Sequence, residues 1–307
     1  MLYTTLGGTG LRVSRMGLGC GGHSRLGLGR GGSHENAVRV VREALDLGVN
    51  FIDTAEAYRT EEAVGEAISV VDRSSVVIST KVGASLDGRF ATPAETRERV
   101  EGCLRRLRTE YVDVLHLHGV SVEEYPHAVE VLYPLLAEMK AEGKIRHVGI
   151  TEAFIPDPGH LMLSPAVQGG PWEVVMVGFN LLNPSARQRV LPFTRERGIG
   201  TLLMFAVRRA LSHPSVLKEL VAELVAKGTI PDELDASDPL GFLGGNLQEA
   251  AYRFCLHELG IDIVLSGTGS VEHLRENARS LEGARLPEEA LARVERVFGK
   301  VDSVSGN

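Results

Sequence analysis

Apolar positions along this chain fall into two alternating kinds of segment. Short runs rich in Val and Ile recur at Arg15–Gly19 (RMGLG), Asn50–Ala55 (NFIDTA), Val76–Val82 (VVISTKV) and Val112–His118 (VDVLHLH). They continue at Ile145–Thr151 (IRHVGIT), Val174–Asn180 (VVMVGFN), Gly200–Ala206 (GTLLMFA) and Ile261–Thr268 (IDIVLSGT). Runs of this length and β-branched content predict strands. Longer stretches with a helical period lie between them. In His34–Gly48, the residues Ala37, Val38, Val41, Ala44 and Leu45 recur at i, i+3, i+4, and Gly48 stands where a helix end favours glycine. Thr92, Pro93 and Glu95 open a helix over PAETRERVEGCLRRLR. Tyr125–Gly143, Pro184–Gly198, Leu247–Gly260 and Ser270–Gly283 read the same way, Asp157–Gln168 more weakly.

Strand–helix alternation implies a parallel sheet covered by helices. Eight such units over about 250 residues predict an α/β fold, a closed (β/α)8 TIM barrel forming a single domain over residues 1–307. Two segments fall outside the repeat. Met1–Ser14, with its LGGTG turn, predicts an N-terminal β-hairpin capping the barrel bottom. Leu211–Asn246 is an extra segment after strand seven, irregular toward its end at Pro231, Pro239, Gly241, Gly244 and Gly245. Trp172, just before strand six, is expected to pack at the barrel bottom.

Glycine is over-represented, at 35 of 307 residues. Part of the excess punctuates helix ends, and Gly21–Gly32 predicts a flexible first βα loop. GLGCGG (Gly17–Gly22) has the look of a Rossmann fingerprint. That fingerprint needs a helix directly after it, and the next helix begins only near His34. A net charge of −7 speaks against a nucleic-acid partner. No apolar run approaches the ~20 residues of a membrane helix. Cys20, Cys103 and Cys255 are few, odd in number and far apart, which suggests neither disulfides nor a zinc site. With no basic-then-apolar leader, the expectation is a cytoplasmic protein with a small-molecule partner, no membrane and no metal.

Active sites of such barrels sit at the C-terminal ends of the strands. There the chain carries Asp53 on strand two, Lys81 on strand three, His118 on strand four, Thr151-Glu152 on strand five and Asn180 on strand six. Tyr58 follows Asp53 by five residues. A single charged strand end is ordinarily solvated or caps a helix. A carboxylate, an ammonium and an imidazole on three successive strands, beside a phenol, have a chemical purpose. Phenol, with a pKa of about 10, exchanges protons poorly near neutrality. A nearby Lys⁺ stabilises its anion, and a carboxylate holds the lysine. An imidazole orients a carbonyl oxygen. The set suits protonating a carbonyl oxygen as hydride reaches its carbon.

GVNFIDTAEAY (Gly48–Tyr58), STKVG (Ser79–Gly83), VDVLHLHG (Val112–Gly119), GKIRHVGIT (Gly143–Thr151) and GTGSVEHLREN (Gly267–Asn277) together resemble the aldo-keto reductases in order and spacing. The resemblance implies a barrel that binds NADP(H), less often NAD(H), and interconverts aldehydes, ketones or sugars with alcohols. It implies Asp53, Tyr58, Lys81 and His118 as the catalytic tetrad, with Tyr58 the general acid or base. His116, on the same strand face, is the competing histidine. On the cofactor side the pattern departs. The family's Ser-Asn after strand five is Thr151-Glu152 here, and a Gln four residues before Asn180 is Met176. The stacking Tyr of strand seven is Phe205. Arg208 and Arg209 follow as candidates for the pyrophosphate. On the last helix Glu276 and Asn277 match an adenine-binding pair, and His273 replaces an Arg that holds the 2′-phosphate. Thr268 and the helix start at Ser270 would support an anion.

These departures motivate a second reading, a catalytically weak regulatory or interaction protein that keeps the cofactor barrel. A metal-dependent hydrolase using His116 and His118 lacks further ligands in the sequence. Little chain follows Pro287–Phe298, so an open pocket with broad specificity is expected. Substrate identity, physiological direction and oligomeric state are not readable from the chain.

Overall fold

The computed structural model describes residues 1–307. The barrel strands are β1 (Met16–Gly19), β2 (Phe51–Asp53), β3 (Val77–Gly83), β4 (Val112–Val120), β5 (Ile145–Glu152), β6 (Val174–Gly178), β7 (Gly200–Met204) and β8 (Ile263–Ser266). They are parallel, each hydrogen-bonded to the next, and β8 closes on β1 with Val264 opposite Met16. This is the (β/α)8 TIM barrel. No helix is long and apolar enough to cross a membrane.

Strand alternation splits the core in two. Inward-facing Phe51, Val77, Val114, Val174, Met176, Leu202 and Ile263 fill the barrel. Leu6, Leu11 and Val13 join them from below, carried by the antiparallel strands Tyr3–Thr5 and Arg12–Ser14. The N-terminal hairpin therefore plugs the bottom, each of its buried side chains contributing about 1.5–3 kcal/mol. Outward-facing strand residues meet the helices in a larger core that includes Val41, Ile78, Leu115, Ile150 and Phe179.

The helices follow the apolar period. α1 (His34–Asp46) buries Ala37, Val38, Val40, Val41 and Ala44 behind a Ser33 cap. α2 spans Glu61–Ile68. α3 (Pro93–Leu107) begins with a complete Thr92/Glu95 capping box. Tyr125–Gly143 is helical through Ala141, but not uniformly. A wide π turn over Ala128–Leu132 precedes α4 (Tyr133–Ala141), where Pro134 withholds the N–H that a regular turn needs. α5 covers Leu163–Gly169. Pro184–Gly198 is broken in the same way at Val190, before Pro192, leaving a short turn at Ala186–Arg189 and α6 (Leu191–Arg197).

The extra segment after β7 holds α7 (Pro214–Ala226), which buries Leu217, Val221 and Leu224, and is irregular toward its end, as expected. α8 (Leu247–Leu256), α9 (Val271–Ser280) and α10 (Glu288–Phe298) complete the chain. The first βα loop contains a 3-10 segment at Arg25–Arg30 capped by Ser24, with Leu26 fully buried. Trp172 is buried, but its ring lies in the outer layer against Tyr125 and Tyr133.

Candidate active site

Asp53, Lys81 and His118, borne on strands, meet Tyr58 at the C-terminal mouth. Asp53 ends β2, and the 3-10 turn Glu56–Tyr58 that follows swings Tyr58 back over the barrel. Lys81 on β3 pairs in register with His116, and Gly83 with His118. Side-chain alternation then points Lys81, His116 and His118 inward. A side chain at Gly21 would strike the Tyr58 ring, 2.6 Å from its Cζ, so the glycine of the first βα loop makes room for the phenol.

Lys81 is fully buried. Its ammonium donates to both Asp53 carboxylate oxygens and to the Thr54 carbonyl, each at 2.7 Å. Asp53 also accepts from Ser79 Oγ at 2.9 Å. Three acceptors match the three ammonium protons, so Lys81 acts on Tyr58 through its charge, from 4.9 Å off the ring centroid. Burial opposes that charge, but Asp53 and the phenolate form of Tyr58 outweigh it and hold the Lys81 pKa above its ordinary value. Tyr58 Oη lies 3.3 Å from His118 Nε2, the two rings edge to face.

The balance at Tyr58 differs from the simple expectation. Lys81 does lower its pKa, but burial raises it more, and the net shift is upward. The phenol is therefore protonated at neutral pH. His118 is pushed down to about 3 by burial, then by Lys81 and Arg99, and stands as neutral imidazole. Arg99 was not singled out in the sequence. It reaches from α3 to the Gly83 carbonyl at 2.9 Å and to Glu56 at 2.8 Å. Nothing in the helical period of α3 separates it from a surface arginine. His116 lies one layer deeper, fully buried with both ring nitrogens unpartnered, in space left by the missing side chain of Gly149.

The residues expected on the cofactor side are distributed differently. Thr151 is buried, and its hydroxyl oxygen accepts from Gly119 N–H at 2.6 Å, leaving its own proton without a protein acceptor. Glu152 is folded inward. Its carboxylate faces His160 Nδ1 at 2.9 and 3.0 Å and accepts from Gly178 N–H at 2.7 Å. Both side chains of this pair are fully buried. Burial raises the Glu152 pKa, and His160 only partly opposes it. Phe154 stacks on His160 and meets Phe205 edge to face. A β-carbon at Gly178 would overlap the Phe154 ring, so that glycine permits the stack.

Asn180 is fully buried and fully committed. Its amide donates to the Phe205 and Ser305 carbonyls, and its oxygen accepts from Leu182 and Asn183 N–H. The C-terminal residues thus run along the rim beside β6 and β7. Phe205 is partly exposed, with Arg208 stacked on its ring. Thr268 accepts from Ser270 N–H at 3.1 Å, and Ser270 caps α9. His273 and Glu276 are exposed on α9, and Asn277 donates to Ser266 Oγ at 2.9 Å. The free Thr151 proton and the α9 start are the groups here that could hold a nicotinamide dinucleotide, and Phe205 could stack on it only by a face that Arg208 leaves uncovered. Asn180 has no hydrogen-bonding capacity left for it.

The family model described as the aldo/keto reductase family matches residues 16–298. The chain belongs to the aldo/keto reductase family. These are NAD(P)H-dependent oxidoreductases. Among curated relatives, an L-galactose dehydrogenase of Arabidopsis thaliana is 28% identical, covering 98% of this chain and 95% of its own. An NADH-specific methylglyoxal reductase of Escherichia coli (strain K12) is 27% identical, covering 90% of this chain and 92% of its own. An aldo-keto reductase from Klebsiella pneumoniae, solved in complex with NADPH, shares the fold with a TM-score of 0.71. That structure is 22% identical, and each chain covers 99% of the other.

Proposed function

We propose that this family member interconverts a carbonyl compound (aldehyde, ketone or sugar) and the corresponding alcohol, with Tyr58 as general acid or base. The observation that carries the reading is the convergence of a protonated Tyr58 with neutral His118 and charged Lys81 at one strand-end mouth. Tyr58 Oη and the His118 imidazole receive the carbonyl oxygen between them. Negative charge grows on that oxygen during reduction, and Tyr58 releases its proton to it. Lys81, fixed by Asp53, stabilises the phenolate left behind. In oxidation the same phenolate takes the proton back.

A reduced nicotinamide supplies hydride to the carbonyl carbon when bound. Phe205, Thr151, Thr268, His273, Glu276 and Asn277 form the cofactor side of this reading, and Asn180 supports it from behind. NADP(H) is the proposed cofactor, as the family pattern favours. NAD(H) is the second reading, because His273 stands where that pattern has Arg, and an imidazole grips a 2′-phosphate less well than a guanidinium. Separate fluorescence titrations with NADPH and NADH distinguish them.

Tyr58→Phe tests the chemistry. Turnover is expected to fall by about 10²–10⁴-fold, with cofactor affinity by fluorescence titration nearly unchanged. A variant with wild-type kcat overturns the assignment. The alternative of a catalytically weak interaction protein rests on the departures at Glu152, Met176 and Ala206–Arg208. Useful turnover of any member of an aldehyde and sugar panel rejects it.

A further inference from the structure

Several charged side chains around the mouth are paired within the protein, and Arg208 is set apart by being half-buried without such a partner. Lys81 is paired with Asp53, Arg99 with Glu56, and Glu152 with His160. Arg208, just after β7, has no carboxylate partner. It is half-buried, with its guanidinium carbon 4.0 Å from the Phe205 ring centroid. One of its five N–H groups donates to the Asn307 amide oxygen at 2.6 Å. Its Nε–H is buried and has no acceptor. Nη1 lies 3.9 Å from where a β-carbon at Gly22 would stand, and adjacent Gly21 abuts the Tyr58 ring. The Gly21–Gly22 turn thus lies against both the phenol and the guanidinium. Burial without a counter-charge lowers the Arg208 pKa, and the phenolate of Tyr58 is what opposes that shift.

A planar guanidinium held by an aromatic face, with free in-plane donors, matches a carboxylate in geometry and charge. Asn307 already shows the mode, offering an amide oxygen where a carboxylate oxygen would sit. The sequence suggested the cofactor's pyrophosphate for Arg208, but Arg208 and Tyr58 approach the same Gly21–Gly22 turn, which points the guanidinium toward the reacting end of the mouth. We propose that Arg208 recognises a carboxylate on the substrate, so that the preferred class is carbonyl compounds bearing a carboxylate and the matching hydroxy acids. The inference rests on the reading of Tyr58 as the proton donor. Arg208 is then a specificity residue that selects the substrate and takes no part in proton transfer.

Succinic semialdehyde and butanal, alike in length but differing in the carboxylate, test it. The wild type is expected to prefer the former by at least about tenfold in kcat/KM, the scale of a charge-assisted hydrogen bond. Arg208→Gln should bring that ratio to within about threefold, mainly through KM, and Arg208→Lys should fall between. Titration calorimetry with succinate should show saturable binding to the wild type and to Tyr58→Phe, and none to Arg208→Gln. A wild-type ratio near one, or a ratio that Arg208→Gln leaves intact, overturns the inference. So does a loss of NADPH and NADH affinity in Arg208→Gln with no change in the ratio, which would give the guanidinium to the cofactor. If neither aldehyde turns over but succinate binding still depends on Arg208, the Tyr58 reading fails and the carboxylate site stands.

Discussion

Across β2–β4 the mouth of the barrel spends its polar groups on one another and on the space above them. Asp53 and Lys81 neutralise each other in full burial, and Tyr58 and His118 stand over the pair, partly accessible. Across β5–β7 the polar groups turn away from the mouth. Glu152 pairs with His160 in a dry pocket, and Asn180 ties the C-terminal residues down. Two buried hydrogen-bonded pairs thus lie at comparable depth with different consequences. The Asp53–Lys81 pair projects charge onto a titrating phenol, whereas the Glu152–His160 pair supports an aromatic stack. Burial alone does not mark a catalytic group; what the buried charge faces does.

That contrast can be broken at its strongest point. Lys81→Met should lower turnover by about 10²–10⁴-fold and, by leaving Asp53 unpaired, cost about 3–5 kcal/mol of stability. Adding Asp53→Asn should return much of the stability but not the turnover, as read by urea melts and steady-state rates. Because Lys81 lowers the Tyr58 pKa, its loss should also move the alkaline rise of alcohol oxidation to higher pH. Turnover within tenfold of wild type would erase the difference between the two pairs.

The opposite side sharpens it. His160→Leu leaves the Glu152 carboxyl buried without its side-chain partner, so a loss of about 1–3 kcal/mol is expected, with a much smaller change in kcat of the folded enzyme. A large fall in kcat at unchanged Tm would instead put that pair in the chemistry. An effect no larger is expected from Asn180→Ala, which removes the amide contacts to Phe205 and Ser305. About 1–3 kcal/mol should be lost, with proteolysis near the C-terminus faster than in the wild type. Resistance equal to wild type would show that Asn183, which also holds this segment, suffices alone.

Much of the frame was legible in the chain. Short runs rich in Val and Ile, alternating with stretches of helical period, indicated the barrel, and the strand ends gave Asp53, Lys81 and His118 without reference to any contact. Less was legible where proline interrupts a helical pattern. The π turn before α4 and the break at Val190 are local rearrangements around a missing N–H, and an apolar period passes over them. The Leu217, Val221 and Leu224 that α7 buries stand at helical spacing in the chain, but the prolines and glycines that follow mark only where the segment turns irregular.

The fates of Glu152, Asn180 and Arg208 were not legible at all. Glu152 meets a histidine in the loop beyond its strand, Asn180 a carbonyl 125 residues away, and Arg208 an amide 99 residues away. By itself, then, the sequence determined the alternation of elements, the hairpin plug and the residue types delivered to the mouth. All of these follow from local periodicity and from strand direction. Only the tertiary structure decided whether Lys81 or burial governs the Tyr58 proton, and which polar groups at the rim remain free. Those outcomes depend on desolvation and on distant partners, which exist only once the chain has closed on itself.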